Sequence, residues 1–315
     1  MVRWTPHILV IIFCALLYMG VSCYQKPDEP VIGEIRDFSV VVNPEIMFPH
    51  LPYEIKETSG LFYYDDLLWT INDHGNKNIL YGFDIQIGKV ERRIRIGNAS
   101  NRDWETLAKD NNFVYIGDVG NNNGNRKDLK IQKVPLSSLE PANIEKNAKS
   151  EVISFSWSDQ KDFLWEFRKT PFDCEAMVSV GDSLVLFTKD WATHNTSAYI
   201  LPKMPGTYKA ELVDTFSVGG LITGADINQE EKVLILSGYQ NFRPFLWIFW
   251  DFKEKQFFHG RKLRVEYPKF YDTQTEAVLF YGNDTIFVSA ERSKRFPQRL
   301  YFFRFSEILK SYDIR

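Results

Sequence analysis

The chain has 315 residues and a nearly balanced charge, with 38 Lys and Arg against 41 Asp and Glu. Hydrophobic residues make up 44% and charged residues 25%, an ordinary globular composition that excludes extensive disorder. With no basic block and a formal net charge of −3, the chain lacks the electrostatic footprint of a nucleic-acid-binding protein. Aromatic residues reach 15%, which favours the half-buried surfaces of β-sheets.

Residues 1–23 have the features of a secretory signal peptide. Arg3 supplies the positive charge at the start, and an apolar run from Ile8 to Met19 follows it. That run is too short to span a bilayer core of about 30 Å comfortably. We therefore predict export, and we exclude this segment from the reasoning about the fold.

The end of the signal peptide, residues 20–23, resembles the lipobox of bacterial lipoproteins. In those proteins a diacylglyceryl group is attached to the cysteine, which becomes the new N-terminus after cleavage. The resemblance implies a lipid anchor on Cys23, with fatty acids such as palmitate, and a periplasmic or outer-membrane lipoprotein facing the periplasm or the cell surface. Residues 24–32 then form a tether and residues 33–315 the folded domain. An ordinary secretory signal with a coincidental cysteine is the alternative.

The mature chain then has one cysteine available, because Cys14 lies in the signal peptide and Cys23 carries the lipid. An intramolecular disulfide is excluded on this count, even in an oxidising compartment. Cys174 is flanked by strand-forming residues, and we predict a buried apolar thiol rather than a nucleophile.

Five segments of the mature chain repeat one pattern of strands. A short strand that opens with a small or acidic residue is followed by a polar turn and by a strongly apolar strand. These segments begin at Ser59, Glu105, Glu175, Gly224 and Glu276. A third strand follows in every segment, and a fourth, more polar strand follows in the first four. Units of four strands that recur in this way are the signature of a β-propeller.

The fifth unit lacks its fourth strand, whereas residues 33–42 form an unattached strand before the first unit. Pairing of this N-terminal strand with the last unit would close the ring and remove two exposed sheet edges. The sequence thus predicts a single all-β propeller of four-stranded blades. We count five blades, and the long unit from Glu105 to Glu175 leaves room for a degenerate sixth.

A set of motifs adds a resemblance to a known family. The motifs occupy residues 69–76, 103–105, 115–122, 172–176 and 221–226. Together they resemble a family of exported, largely uncharacterised β-propeller proteins of Bacteroidota-type bacteria. The resemblance implies a location and a fold but no reaction. In architecture alone, the chain is also distantly similar to the gluconolactonase, paraoxonase and strictosidine-synthase-like propellers, in which such acids help to hold a calcium ion in the central channel.

Acidic residues open four of the five inner strands. We predict that these acids face the central axis at one height: Glu105, Glu175, Asp226 and Glu276. Carboxylates in one narrow funnel repel each other strongly. Either a hard cation such as Ca²⁺ binds them, or basic side chains neutralise them, or some of them take up protons. Alternatively, each carboxylate accepts hydrogen bonds from the backbone of the next blade.

His74 is the best candidate for a general base. Asp73 adjoins it in the chain, and the turn at Asp118 is predicted to lie on the same rim. A histidine that merely fixes the local turn is the competing interpretation. Signatures of the common hydrolases, metalloproteases, nucleotide-binding and dithiol redox proteins are missing from the sequence.

Two functions from different classes remain in competition. The first is a non-catalytic module of the cell envelope whose rim binds a small polar ligand, such as a sugar, or an envelope protein. The second is a calcium-dependent hydrolase that acts on a lactone, an ester or a phosphoester in the funnel. The anchor and the lack of a catalytic motif favour the binding module.

Overall fold

The computed structural model describes residues 38–140 and 145–313, which form strands, turns and one α-helix. We number the strands in chain order, beginning with the two short strands β1 (Phe38–Val41) and β2 (Glu45–Phe48). The first blade consists of β3 (Thr58–Tyr64), β4 (Leu67–Asn72), β5 (Ile79–Asp84) and β6 (Lys89–Ile96). The second consists of β7 (Trp104–Lys109), β8 (Phe113–Asp118), β9 (Lys130–Pro135) and, after the short strand β10 (Glu145–Ala148), β11 (Glu151–Trp157).

The third blade consists of β12 (Asp173–Val180), β13 (Ser183–Lys189), β14 (Thr196–Pro202) and β15 (Gly206–Phe216). The fourth consists of β16 (Leu221–Asn228), β17 (Val233–Gln240), β18 (Arg243–Trp250) and β19 (Arg261–Glu266). The fifth contains β20 (Thr275–Tyr281), β21 (Thr285–Ala290) and β22 (Arg299–Arg304), and the helix α1 (Phe305–Asp313) follows it. Short 3₁₀ turns lie at Tyr53–Ile55, Leu136–Leu139 and Pro268–Phe270.

The five blades form a closed ring, so the predicted β-propeller is confirmed. The innermost strands β3, β7, β12, β16 and β20 contact one another in this order, and β20 contacts β3 again. The long second unit holds no further blade among the described residues, because β10 leaves it and pairs with β6 of the first blade. The propeller therefore has five blades in the described part of the chain.

The hydrophobic core is divided into layers, and each layer lies between two neighbouring blades. Trp69 of the first blade and Trp104 of the second share one layer and are fully buried. The layer between the last blade and the first contains Phe287 and Phe83, which shows that apolar packing also closes the ring. Because the apolar faces meet between blades, the axis itself is left to polar side chains.

The strand that closes the ring differs from the predicted one. In the predicted segment, β1 pairs in parallel with β19, and thus extends the fourth blade. The closing strand is β2, which pairs antiparallel with β22 and completes the fifth blade. β2 is only four residues long and lies between Pro44 and Pro49, and so it carries a much weaker strand signal than the apolar run at β1.

The predicted signal peptide, its cysteine at position 23 and the tether lie outside the described residues. Within the described part of the chain, no helix has the length and the apolar character needed to cross a membrane.

Candidate axial binding site

A β-bulge near the start of every inner strand places one extra residue at the axis. In each case one residue of the inner strand has no partner in the second strand of its blade. These residues are Gly60, Glu105, Glu175, Thr223 and Glu276. A bulge redirects the side chain that it carries and is common beside functional sites. Three of the four predicted acids therefore occupy structurally related positions.

These three acids line one polar cavity of about 370 Å³ on the axis of the propeller. Glu105, Glu175 and Glu276 are 5%, 4% and 6% exposed, respectively. The other acidic residues in the lining are Asp73, Asp103 and Glu291, and the basic ones are His74, Arg102, Arg126, Arg168 and Lys189. The cavity is rich in carboxyl groups, as predicted for the central funnel.

Lys189 provides the cation that lies closest to these buried acids. Its Nζ is 2.5 Å from Oε2 of Glu175, and the two side chains are almost completely buried. The same Nζ lies 5.5 Å from the ring centre of Tyr239 and 5.0 Å from that of Trp191. Burial alone would lower the pKa of Lys189, but Glu175, Tyr239 and Glu276 raise it well above its usual value. Neutralisation by a basic side chain, one of the predicted alternatives, is therefore present in the structure.

Proton uptake, another predicted alternative, is supported at the same site. Burial raises the pKa of Asp73 to about 8, and the charge of Glu276 reinforces the shift. Burial also raises the pKa of Glu291 to about 9, again reinforced by Glu276. At neutral pH we therefore expect both groups to be held largely as neutral carboxylic acids, which can donate as well as accept hydrogen bonds.

Burial also raises the pKa values of the three acids at the bulges. Burial raises the pKa of Glu105, and the nearby charge of Glu175 adds to this effect. Burial raises the pKa values of Glu175 and Glu276 as well, although the ammonium group of Lys189 opposes the shift in both. The cluster therefore carries fewer negative charges than its number of carboxyl groups.

One oxygen of this cluster has no partner. Oε1 of Glu276 is buried and has no partner of hydrogen-bonding geometry among the described residues, although Gln274 and Glu175 lie close enough to the carboxyl group to influence its pKa. An unpaired buried carboxyl oxygen costs about 1–3 kcal/mol, or more when charged, and in a native protein this implies an unseen partner. A ligand in the cavity would supply that partner.

The backbone of Gly120 closes one side of the cavity against two acids. A Cβ at this position would lie 2.7 Å from Oε1 of Glu105 and would also collide with Oδ2 of Asp103. Nearby, the backbone N–H of Asn121 donates to Oδ1 of Asp173 over 2.5 Å, which joins the second blade to the third. Glycine is thus needed at position 120 because two carboxylates approach the backbone.

The predicted catalytic group of His74, Asp73 and Asp118 is only partly brought together. Nδ1 of His74 lies 2.9 Å from Oδ1 of Asp103, so the carboxylate that orients this histidine is Asp103. Asp73 lines the same cavity, whereas Asp118 is fully buried and forms a 2.9 Å ion pair with Arg126. Oδ1 of Asp118 accepts a hydrogen bond from the backbone N–H of Asp103, and its link to His74 is therefore indirect.

Asp226 does not share the cavity with the other three acids. Thr223 occupies the bulge of its strand, and Asp226 follows three residues later. Its Oδ2 accepts a 2.7 Å hydrogen bond from the backbone N–H of Phe280 in the next blade. Burial raises the pKa of Asp226 to about 6, against the hydrogen bond from Phe280. At this one position the structure has the predicted contact between blades.

The carboxyl groups of the cavity are the type of ligand that Ca²⁺ prefers, but they are not arranged as a metal-binding group. Carboxylate oxygens are the ligands that Ca²⁺ prefers. In the described residues, however, no three His, Cys, Asp or Glu side chains come together as a metal-binding group. Lys189 already supplies a positive charge to Glu175. Cys174 takes no part in the cavity and is a fully buried free thiol.

Two loops line the cavity without having been predicted as parts of it, although the motif at residues 115–122 includes the start of the first loop. Asn121, Asn122, Asn123 and Asn125 line the cavity from the loop after β8. Phe167 and Arg168 line it from the loop before β12, and the backbone N–H of Arg168 donates to the carbonyl oxygen of Asn122 over 2.8 Å. Neither loop has a recognisable motif that relates it to the other.

Comparisons with known proteins identify no family. No family model matches the chain, and no curated protein matches its sequence. Among solved structures, the PQQ-bound aldose sugar dehydrogenase of Streptomyces coelicolor is 8% identical, with a TM-score of 0.49 over 84% of this chain and 97% of the other. A glucose dehydrogenase is 7% identical, with a TM-score of 0.47 over 81% of this chain and 98% of the other. Hydrazine synthase of Kuenenia stuttgartiensis is 12% identical, with a TM-score of 0.40 over 78% of this chain and 63% of the other.

Proposed function

We propose that this protein is a binding module of the cell envelope and that its axial cavity takes a small hydroxyl-bearing ligand of the sugar type. The observation that carries the proposal is the buried, unpartnered Oε1 of Glu276 at the cavity wall. A hydroxyl group donates a hydrogen bond and accepts another, and it therefore suits a wall that offers both functions.

The other cavity groups support the same class of ligand. Neutral acids at Asp73 and Glu291 donate and accept, and the ammonium group of Lys189 donates only. The side-chain amides of the loop after β8 add further donors and acceptors. Few apolar groups line the cavity, so a hydrophobic ligand would leave many polar atoms without partners.

A direct test is to measure thermal unfolding with an excess of glucose, galactose, mannose, N-acetylglucosamine and glucosamine. A ligand that binds only the native state raises stability by about 2.7 kcal/mol at a hundredfold excess over its Kd. We expect at least one of these sugars to raise the Tm, and we expect Glu276→Gln to abolish the increase. No shift with any of them would contradict the sugar-type ligand.

The location is part of the proposal. We propose that Cys23 carries the lipid, that residues 24–32 tether the propeller, and that the membrane is a partner through this anchor only. The motif at residues 20–23 supports this. Cys23→Ser should move the exported protein from the membrane fraction to the soluble fraction. A variant that stays in the membrane fraction would contradict the anchor.

A calcium-dependent hydrolase is the second candidate, and two observations favour it. The pair of His74 and Asp103 at the mouth of the cavity has the geometry of an oriented general base. Glu105 and Glu276 could bind a divalent cation if Lys189 moved aside. In this case Ca²⁺ should raise the Tm, a chelator should lower it again, and Glu105→Gln should abolish the difference. A Tm that is independent of Ca²⁺ would remove the basis of this alternative.

A further inference from the structure

A smaller cavity of about 220 Å³ adjoins the axial one. The two cavities share Arg168, Tyr239 and Gln274 in their walls. The outer wall of the smaller cavity is formed by the turn between β17 and β18, where Phe242 lies. We call this space the side cavity. The shared wall places the side cavity next to any ligand that fills the axial cavity.

Phe242 occupies a backbone conformation that disfavours its own side chain. It follows Asn241 in a two-residue turn, and both have positive φ angles, 56° for Phe242 and 51° for Asn241. Turns of this kind prefer glycine at the second position, because a bulky L-residue in the left-handed region is strained. The backbone N–H of Asp272 donates to the carbonyl oxygen of Phe242 over 2.8 Å and holds the turn against the next blade.

The strained turn presents an aromatic ring. The ring of Phe242 stacks parallel to that of Tyr239 at 5.8 Å, and yet half of the Phe242 side chain remains exposed. Stacking on Tyr239 accounts for one side of the ring only. Packing inside the protein does not explain why a phenylalanine, rather than a glycine, stands here.

Backbone strain is concentrated around this cavity. Ten non-glycine residues of the described chain have positive φ, and four of them line the side cavity: Arg168, His194, Asn241 and Phe242. Strained conformations of this type cluster at binding sites, where the surrounding structure holds them. The concentration therefore makes the side cavity a candidate binding site.

Arg168 adds a polar group at the junction of the two cavities. Its guanidinium group lies over the rings of Phe167 and Trp191, at 4.9 Å and 4.7 Å. Among the described residues, this group makes no hydrogen bond or ion pair. Its donors are thus held in place by stacking and remain available to a ligand.

We propose that the side cavity is a second subsite for the same ligand, which is therefore a saccharide of at least two rings. The first ring occupies the axial cavity, and the apolar face of the second stacks on Phe242. The hydroxyl groups of the second ring meet Arg168 and the amide of Gln274. An aromatic surface with a few fixed polar groups is the usual composition of a ligand pocket. This proposal rests on the proposed function of the axial cavity.

The test compares methyl glycosides of glucose, galactose, mannose and N-acetylglucosamine with their homodisaccharides, by calorimetric titration of the full mature protein. We expect a disaccharide to bind more tightly than its methyl glycoside. Phe242→Gly should lower the affinity for the disaccharide by about tenfold and change the affinity for the methyl glycoside by less than about twofold. It should also leave the Tm unchanged or raise it, since glycine relieves the strain.

Matched variants keep the result interpretable. Phe242→Asn removes the ring with a residue that tolerates the left-handed region, and it replaces Phe242→Gly if that protein does not fold. Glu276→Gln should lower the affinity for the methyl glycoside and for the disaccharide by the same factor. An equal effect of Phe242→Gly on both ligands, or no effect, would overturn the subsite while the axial site stands. Failure of every saccharide to bind would overturn both the subsite and the proposed function of the axial cavity.

Discussion

Nζ of Lys189 lies 2.5 Å from Oε2 of Glu175, and both side chains are at least 95% buried on the axis of the propeller. This ion pair lies among carboxyl groups whose pKa values are raised by burial. It gives the cavity an internal cation, whose charge also acts on Glu276.

Removal of Lys189 should lower the free energy of unfolding. Lys189→Met leaves Glu175 buried and unpaired, and breaking a buried pair in this way costs about 3–5 kcal/mol. Chemical denaturation measures the loss. The double variant Lys189→Met with Glu175→Gln should recover most of it, because no buried charge is left without a partner. A single variant as stable as the wild type would show that the pair is not formed.

Stability should fall as the pH rises. An acid whose pKa is higher in the folded state binds more protons when folded, and the free energy of unfolding therefore decreases between the two values. For Asp73 the window runs from 3.8 to about 8, and for Glu291 from 4.5 to about 9. Denaturation at pH 5, 7 and 9 should show this decrease.

Isosteric variants test whether these two acids cause the pH dependence. Asp73→Asn and Glu291→Gln mimic the neutral forms, so each should flatten the decrease between pH 5 and pH 9. Glu211→Gln, at an exposed position, is the matched control. Equal slopes in the wild type and in both cavity variants would contradict the assignment.

Gly120→Ala should disturb the cavity. The added Cβ meets carboxylate oxygens of Glu105 and Asp103, and overpacking of this kind costs about 1–3 kcal/mol. Gly97→Ala is the control, because its Cβ would lie 3.7 Å from the nearest atom, the carbonyl oxygen of Ala148. Thermal unfolding should separate the two variants. If they are equally stable, the close approach at Gly120 is wrong.

The ring closure predicts different effects at the two N-terminal strands. Phe48 of the closing strand packs edge-on against Phe83 at 5.1 Å, so Phe48→Ala should cost about 2–3 kcal/mol. Val41 is 58% exposed at the edge of the fourth blade, and Val41→Ala should change stability by less than about 0.5 kcal/mol. The reverse order of these two effects would argue that β1, rather than β2, closes the ring.

Much of the fold could be predicted because strand periodicity is a local property. Each of the five predicted segments begins within an inner strand of the structure, at Ser59, Glu105, Glu175, Gly224 and Glu276. The closing strand could not be identified, because its pairing with β22 spans almost the whole chain. An apolar segment of stronger strand propensity, β1, stands only three residues away from it.

The candidate site was less accessible to sequence reasoning because it depends on register. Glu105, Glu175 and Glu276 line the axial cavity. Asp226 does not line it, because the residue of its strand at the bulge is Thr223, and the acid follows three positions later. The contact of Lys189 with Glu175 likewise follows from the bulge between Cys174 and Ala176. The hydrogen bond between the loops of Arg168 and Asn122 could not be predicted, because loop contacts leave no periodic pattern in the sequence.

Calorimetric titration of the wild type, Glu276→Gln and Asp226→Asn with a saccharide that raises the Tm tests the central claim most directly. Both variants neutralise an acid of raised pKa on an inner strand, but of the two only Glu276 lines the axial cavity. Glu276→Gln offers the ligand a neutral amide in place of a carboxyl group, and a hydrogen bond to a charged group is worth about 1.5–3 kcal/mol. We therefore predict at least a tenfold loss of affinity in Glu276→Gln and none in Asp226→Asn. Equal affinities in all three proteins would contradict the axial binding site.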